Sequence, residues 1–586
     1  MKPPLLARST HRVYSACMRD IVPPLAALRR EFGGNAAPRK LRLILAASSR
    51  AGTARLLRAW HDEVLFCCAY PDDAALRRAA EHELRRLGRL ARARTSAEGS
   101  PLHNSGIAGT TVTASFSPDL LGWLVERFGP AVNIAWEDGA AGMALEELLP
   151  LLALPPETDG LLSHRLTTED WVGHAAGGHR SALAWLLHRI ETLQLKPGIR
   201  DRLFAAHDLY IRWRLGRGSR TLTRFPPRPL FLQRQPLTRH VVLGEVLRDP
   251  LPRPRPLGRR GQEEIIDIAR ATLAARARET DPVTFANPAE TKLFRLERGV
   301  DIALFGMQPA RRLPIESYFG FVAARNRIPI AYGGGWVFFG RCEIGVNLFE
   351  EFRGGESAVI FAQVLRAYRQ HYRVRQFLVD PYQFGKDNTE AIRSGAFWFY
   401  YRLGFRPTDP ALWRLADQEF ERIHAQHGYR SPARTLRRFT ASKLFLDVPF
   451  AEQGQAPAPE RGWQPVAPDL TELGLALTGW VERHYRGDRE AAARHAIRRV
   501  NRWLGASDVS RWTPSEQEGW QRLAPLATAC LRSAWTGRER EALREALRAK
   551  GGERERDYAL RLQRLPRFRT ALETFTRTAR QMIVST

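Results

Sequence analysis

The sequence predicts a mixed α/β protein, a central domain with a mixed sheet set between N- and C-terminal regions that are mainly helical. Three observations predict it. Strand-like apolar runs gather between about Ala289 and Val448, whereas apolar residues on either side recur at helical spacings. Two Pro-rich stretches, Asp249–Gly261 (DPLPRPRPLGRRG) and Glu452–Asp469 (EQGQAPAPERGWQPVAPD), interrupt both patterns, as extended connectors do. The chain also has 586 residues, more than one hydrophobic core usually organises, so roughly two to four domains are expected. The expected boundaries are 1–248, 249–261, 262–451, 452–469 and 470–586.

In the first region Leu76, Ala80, Leu84, Leu87 and Ala91 form one stripe and predict a helix over Asp73–Arg94. Arg77, Arg78, Arg85, Arg86, Arg89 and Arg92 fall off that stripe and read as a solvated face in preference to a phosphate-binding ridge. Thr110–Phe116 predicts a strand, Ala182–Leu195 a helix, and Cys67-Cys68 a buried pair. After Asp469, Leu477, Trp480, Val481 and His484, then Leu543 and Leu547, keep helical spacing without any group of chemical interest. A bundle or docking surface is expected there.

The central region changes texture. Val300–Met307, Tyr318–Arg325, Ile328–Phe339 and Cys342–Phe349 read as strands, and the short connections Asn326-Arg327 and Gly340-Arg341 make them a meander. Gly333-Gly334-Gly335 lies inside the third strand and opens no helix, so a bulge is expected. Val359, Ile360, Phe361, Val364, Leu365 and Tyr368 then share a helical face. A buried strand follows at Val374–Asp380, and a second helix over Asn388–Leu403 ends at a C-cap glycine, Gly404.

Between the fourth strand and its helix lies Glu350-Glu351-Phe352-Arg353-Gly354-Gly355-Glu356-Ser357-Ala358. Small residues let the main chain approach a ligand, and the first N–H groups of a helix lack intrahelical partners. Such a junction offers donors and a positive dipole end to an anion, ideally a pyrophosphate. Arg353 can add a charge-assisted contact or brace the loop.

This junction resembles the pyrophosphate loop of GNAT-type acyl-CoA N-acyltransferases, whose usual form is PEYRGKGIG. Glu351, Arg353, Gly354 and Ala358 match, and Phe352 stands for Tyr. Ala396-Phe397-Trp398-Phe399-Tyr400-Tyr401-Arg402-Leu403-Gly404-Phe405 resembles the superfamily's Ala-x-x-x-Tyr-x-x-x-Gly-Phe ending. The run FRGGES…YQFG…SGAFWFYYRLGFRP is also similar to a bacterial protein family, a likeness that bears on fold and not on function. The resemblance covers roughly a quarter of the chain. It implies an acyltransferase-like central domain using acetyl-CoA or another acyl-CoA, with pantetheine lying along Leu348 and Phe349. The main chain of Gly354, Gly355, Glu356, Ser357 and Ala358 would then hold the pyrophosphate. It also implies Tyr400 as the acid that protonates the leaving thiolate, with the acceptor amine attacking the thioester directly. Glu343 and Asp380 are the candidate bases. Two positions depart from the pattern: Glu356 replaces a glycine, and Arg393 replaces an Asn, the nearest one upstream being Asn388.

Composition bounds the partners. The net charge is +28, from 90 basic and 62 acidic residues, which favours polyanions. Only seven of the basic residues are lysines, and the charge is scattered along the chain, so a nucleic-acid partner remains one expectation among others. The five cysteines, Cys17, Cys67, Cys68, Cys342 and Cys530, form no CxxC pair, and His164, His174, His179 and His188 show no helical zinc spacing. No metal is expected. Without an apolar leader or a run of about 20 apolar residues, a cytoplasmic protein with no membrane span is expected. Three functions stay open: an acyl-CoA N-acyltransferase acting on an unidentified amine, an aminoacyl-tRNA-dependent transferase, and a non-catalytic nucleic-acid-binding or scaffold protein.

Overall fold

Side-chain caps fix where several helices begin. Asp73 accepts the Leu76 N–H at 2.7 Å, Ser117 the Leu120 N–H at 3.3 Å, and Asp469 the Glu472 N–H at 3.0 Å, each satisfying a donor the helix leaves unpaired. The computed structural model describes residues 18–47, 52–93, 100–136, 140–163, 165–206, 209–455, 462–531 and 535–584. Cys17, His164 and residues 456–461 of the second Pro-rich stretch lie outside the described residues. The chain divides into two compact units. One holds residues 1–237, 270–279 and 326–328, and the other 238–269, 280–325 and 329–586.

The first unit is helical around a small antiparallel sheet. Its strands are β1 (Thr111–Ser115), β2 (Val132–Ile134) and β3 (Tyr210–Arg214), ordered β1-β3-β2. Val112, Val132, Ile211 and Trp213 meet Leu120 and Leu186 from the helices in its core. The helix expected over Asp73–Arg94 is Ala74–Arg92. Its arginines are not all solvated: Arg77 is buried, bonded to the Cys68 carbonyl, and donates to Glu81 at 2.8 Å. A guanidinium can satisfy the last carbonyls of a neighbouring helix while its stem packs, which a stripe count does not reveal.

The second unit is built on a mixed sheet. Its strands are β4 (Lys292–Arg295), β5 (Val300–Phe305), β6 (Ser317–Arg325), β7 (Ile328–Phe338), β8 (Arg341–Leu348), β9 (Gln376–Val379), β10 (Arg406–Pro407) and β11 (Leu444–Asp447). The order is β10-β11-β9-β8-β7-β6-β5-β4. The expected meander is β5 to β8. Its second turn is Phe339-Gly340, one residue earlier than expected, and both residues take positive φ, 48° and 85°, as a two-residue hairpin turn requires. Gly333-Gly334-Gly335 forms no bulge but an unbroken ladder to Val346, Gly345 and Ile344. Side chains are excluded there by close packing: a Cβ on Gly334 would lie 2.5 Å from the Tyr318 ring, and one on Gly335 2.7 Å from Tyr368.

Helix α1 (Ser357–His371) follows β8, and its face bearing Ile360, Phe361, Val364, Leu365 and Tyr368 is buried. The single helix expected over Asn388–Leu403 is two, α2 (Thr389–Ser394) and α3 (Ala396–Arg402), broken at Gly395 with φ 65°. That left-handed residue ends one helix and redirects the chain. The Pro/Arg stretch is bound along α1: Arg366 donates to Asp249 O at 3.0 Å and Pro250 O at 2.7 Å.

Helices α4 (Glu555–Leu562) and α5 (Pro566–Val584) close the chain and belong to the unit of the sheet. Buried charge joins α4 to that sheet. Lys550 donates to Glu555 at 2.7 Å, Arg312 lies 3.7 Å from Glu555, and the Arg556 N–H donates to Glu290 at 3.3 Å. Burial pushes the Glu290 carboxyl up to about 7, against the pull of Arg312. Between its ordinary value near 4.5 and about 7 the folded protein holds a proton that the unfolded chain has lost. Stability is therefore highest below that window and falls as pH rises through it. The decline, at most about 3 kcal/mol, is expected to vanish in Glu290→Gln. Urea midpoints at pH 5 and pH 8 measure it, and an unchanged slope in the variant would remove Glu290 as its source.

Candidate functional site

The ladder between β8 and β9 is parallel and short. It runs through Arg341↔Gln376, Cys342↔Phe377 and Glu343↔Leu378, while β8 continues to Leu348. Phe349 N–H donates to Ile330 O at 3.0 Å, so Ile330 and Phe349 are a hydrogen-bonded pair. The next pair inward, Ala331↔Leu348, is then a non-hydrogen-bonded one. The main-chain groups of Leu348, and by the same alternation Val346, point away from β7 to the side where β9 has left the ladder. Phe349 differs from Leu348: its N–H serves β7, and its ring stacks on Tyr332 at 5.6 Å.

At the end of β8, Glu350–Phe352 makes a 3-10 turn, Gly354 takes φ 77°, and α1 begins at Ser357. The N–H groups of Gly354, Ser357, Ala358 and Val359 have no acceptor among the described residues, and the helix's first internal bond to Glu356 comes from Ile360 at 3.0 Å. Gly355 is different, because its N–H already donates to Phe352 O at 3.0 Å. The arrangement is a helix N-terminus with four free donors and the positive end of the helix dipole.

Glu356 faces inward. Its carboxylate is 1% exposed, lies 2.6 Å from Arg325, pairs with Arg298 and accepts the Thr238 N–H at 2.9 Å. The charge that would oppose an anion at the loop is thus neutralised within the fold. Arg353 is exposed and pairs with Glu390 of α2, bracing the loop against the next helix. Asn388 caps α2, accepting from Ala391 N–H and donating to Tyr382 O, each at 3.1 Å. Arg393 is exposed in the last turn of α2.

Tyr400 on α3 packs edge-on against Phe361 at 5.7 Å and Phe405 at 5.8 Å. Phe361 lies in the second turn of α1, so the phenol sits beside the helix whose N-terminus is free. Its hydroxyl has no hydrogen-bond partner among the described residues, and burial pushes its pKa up, keeping the proton on at neutral pH. The candidate bases separate. Asp380 caps the turn after β9 through the Tyr382 N–H at 2.9 Å. Glu343 sits where the β8–β9 ladder ends and pairs with Lys443 at 2.5 Å.

Glu343 also lines a cavity of about 580 Å³ with Glu316, Trp336, Lys443, Trp463 and Asp469. Trp336 stacks flat on Tyr318 with centroids 4.2 Å apart. Burial pushes the Glu316 carboxyl up to about 6. The lining sets three carboxylates, Glu316, Glu343 and Asp469, against two cations, Arg341 and Lys443, a balance that leaves net negative charge and suits a cationic amine. No local sequence pattern marks Glu316 or Lys443 as functional residues. With Trp463, the lone aromatic of its Pro-rich stretch, they reach this cavity from separate segments.

Among the described residues no group of three or more His, Cys, Asp and Glu is placed to hold a metal ion, and no helix is long and apolar enough to cross a membrane. Compared with protein-family models, curated proteins and solved structures, the chain matches none.

Proposed function

We propose that the second unit transfers an acyl group from acyl-CoA, acetyl-CoA being the simplest donor, to an amine. The observation that carries this reading is the early end of the β8–β9 ladder, at Glu343↔Leu378, on the strand that leads to the unpaired N–H groups of Gly354, Ser357, Ala358 and Val359. An extended pantetheine arm needs main-chain partners at a strand edge, and Val346 and Leu348 offer them. A pyrophosphate needs donors at a helix N-terminus, and the loop beside them has its own acidic residue sequestered by Arg325 and Arg298.

In this reading the amine nitrogen attacks the thioester carbonyl, the carbon–sulfur bond breaks, and Tyr400 gives its proton to the leaving thiolate. The new amide nitrogen releases one proton, which restores the Tyr400 hydroxyl through solvent. The other proton of the bound ammonium has passed, before the attack, to a carboxylate of the Glu316–Glu343 cavity. A carboxyl with a value near 6 is ionised at neutral pH yet basic enough to accept it. The capping role of Asp380 makes it the weaker of the bases named from sequence.

Calorimetric titration of the full chain with acetyl-CoA, CoA and inorganic phosphate tests the reading. Micromolar affinity for both acetyl-CoA and CoA and none for phosphate is expected; absence of CoA binding sinks the proposal. With an acceptor in hand, Tyr400→Phe is expected to lower kcat by a factor of 100 or more and leave CoA affinity unchanged. Equal kcat across pH would take Tyr400 out of the mechanism.

A further inference from the structure

A second concave site lies at the other end of β8, where that strand begins. Arg373, Arg375, Arg556, Arg564 and Arg569 line a cavity of about 470 Å³ whose wall includes Phe339 of the β7–β8 turn. Leu560 and Pro566 add apolar surface, Gln563 adds a polar group, and no carboxylate is among the described lining residues. The arginines come from four places: Arg373 and Arg375 from the link between α1 and β9, Arg556 from helix α4, Arg564 from the link between α4 and α5, and Arg569 from the first turn of α5.

Two of the five are held without losing their charge. Arg556 donates to His371 O at 2.8 Å, and Arg569 donates to Val466 O at 3.3 Å with Glu573 3.6 Å away. Arg373, Arg375 and Arg564 form no ion pair among the described residues and are exposed. Gln563 is anchored by donating to Tyr372 O at 2.9 Å. Like charges gathered in one hollow repel one another unless a counter-charge fills it, and guanidinium forks match phosphate oxygens in pairs. The volume is that of a small-molecule site, not of a groove that tracks a nucleic-acid strand.

We propose that this cavity binds a compact anion carrying two or more adjacent phosphates, with Arg375 and Arg564 as the ion-pairing arms and Arg556 as the fixed floor. The site is separate from the helix N-terminus at the far end of β8, about 25 Å along that strand at the usual rise. It does not depend on the acyltransferase reading.

Tripolyphosphate, ATP, sulfate and a 20-nucleotide RNA, titrated into the full chain at 0.15 M salt, test it. Tripolyphosphate or ATP should bind at micromolar affinity and sulfate at least 100-fold more weakly. Equal affinity for the two polyphosphates assigns recognition to the phosphate chain, and tighter ATP binding adds contacts from the nucleoside; both support the site. The double variant Arg375→Ser/Arg564→Ser should lose at least tenfold in polyphosphate affinity while its thermal midpoint and its response to CoA stay unchanged. Wild-type affinity in that variant, or RNA binding that polyphosphate fails to compete, overturns the proposal. So does a loss of CoA binding in parallel with polyphosphate, since the cavity would then belong to the CoA site.

Discussion

Glu356→Gln is expected to destabilise the second unit by about 3–5 kcal/mol, the usual consequence of removing one partner of a buried ion pair. Both Glu356 and Arg325 have fully buried side chains 2.6 Å apart. The amide keeps the shape and can still accept the Thr238 N–H, so the change isolates the charge. Arg298, with 28% of its side chain exposed, can turn to solvent; Arg325 cannot. The immediate casualty is the turn that starts α1, and CoA binding should weaken beyond what the global destabilisation explains. Denaturant midpoints measure the first effect and calorimetry the second. Replacing both buried partners, Glu356→Leu with Arg325→Met, should recover much of the stability, because an apolar pair of similar volume often replaces a buried ion pair without loss. A single variant as stable as wild type would show that Glu356 is not the counter-charge for Arg325.

Arg312→Met should cost a similar amount, about 3–5 kcal/mol, by a different route. The guanidinium donates to Met307 O at 3.1 Å, Lys550 O at 2.8 Å, Gly552 O at 2.7 Å and Glu553 O at 3.0 Å. Without it those carbonyls lose their donor, and Glu290 and Glu555, both almost fully buried, lose a positive neighbour. Glu555 retains Lys550 at 2.7 Å; Glu290 does not gain a substitute. The turn before α4 should open first. Hydrogen exchange of the segment from Lys550 to Tyr558 should rise before that of the sheet. Arg312→Lys should restore less than half of the loss, since one ammonium cannot reach carbonyls spread around a planar fork. If Lys restores it fully, the contribution is charge alone and not the hydrogen-bond pattern.

Much of the central region was legible because its signals are local. Turn residues with positive φ at Asn326-Arg327, apolar alternation in the strands, and the periodic face of α1 are short-range properties of the chain. The loop Arg353–Ala358 was legible for the same reason, as small residues directly ahead of a helical face. The misreadings have a shared cause. Gly333-Gly334-Gly335 reads as a weak point in a strand until Tyr318 and Tyr368 are seen filling the space. Gly395 reads as one more helix residue until its left-handed backbone splits α2 from α3. Arg77 reads as solvated until the Cys68 carbonyl appears beside it.

The sequence by itself determined the mixed α/β character, the run from β5 through β8 to α1 and β9, and the place of the donor-rich junction after β8. Each depends on neighbours within a few residues, where backbone sterics and side-chain periodicity decide. Only the tertiary structure decided which charges are partnered. It sent Glu356 to Arg325 rather than toward the loop, locked Arg312 among carbonyls more than 200 positions away, and gathered the arginines from Arg373 to Arg569 into one hollow. A charge interacts through space over distances set by burial and dielectric, not by position along the chain, so its partner is settled only when the fold brings distant segments together.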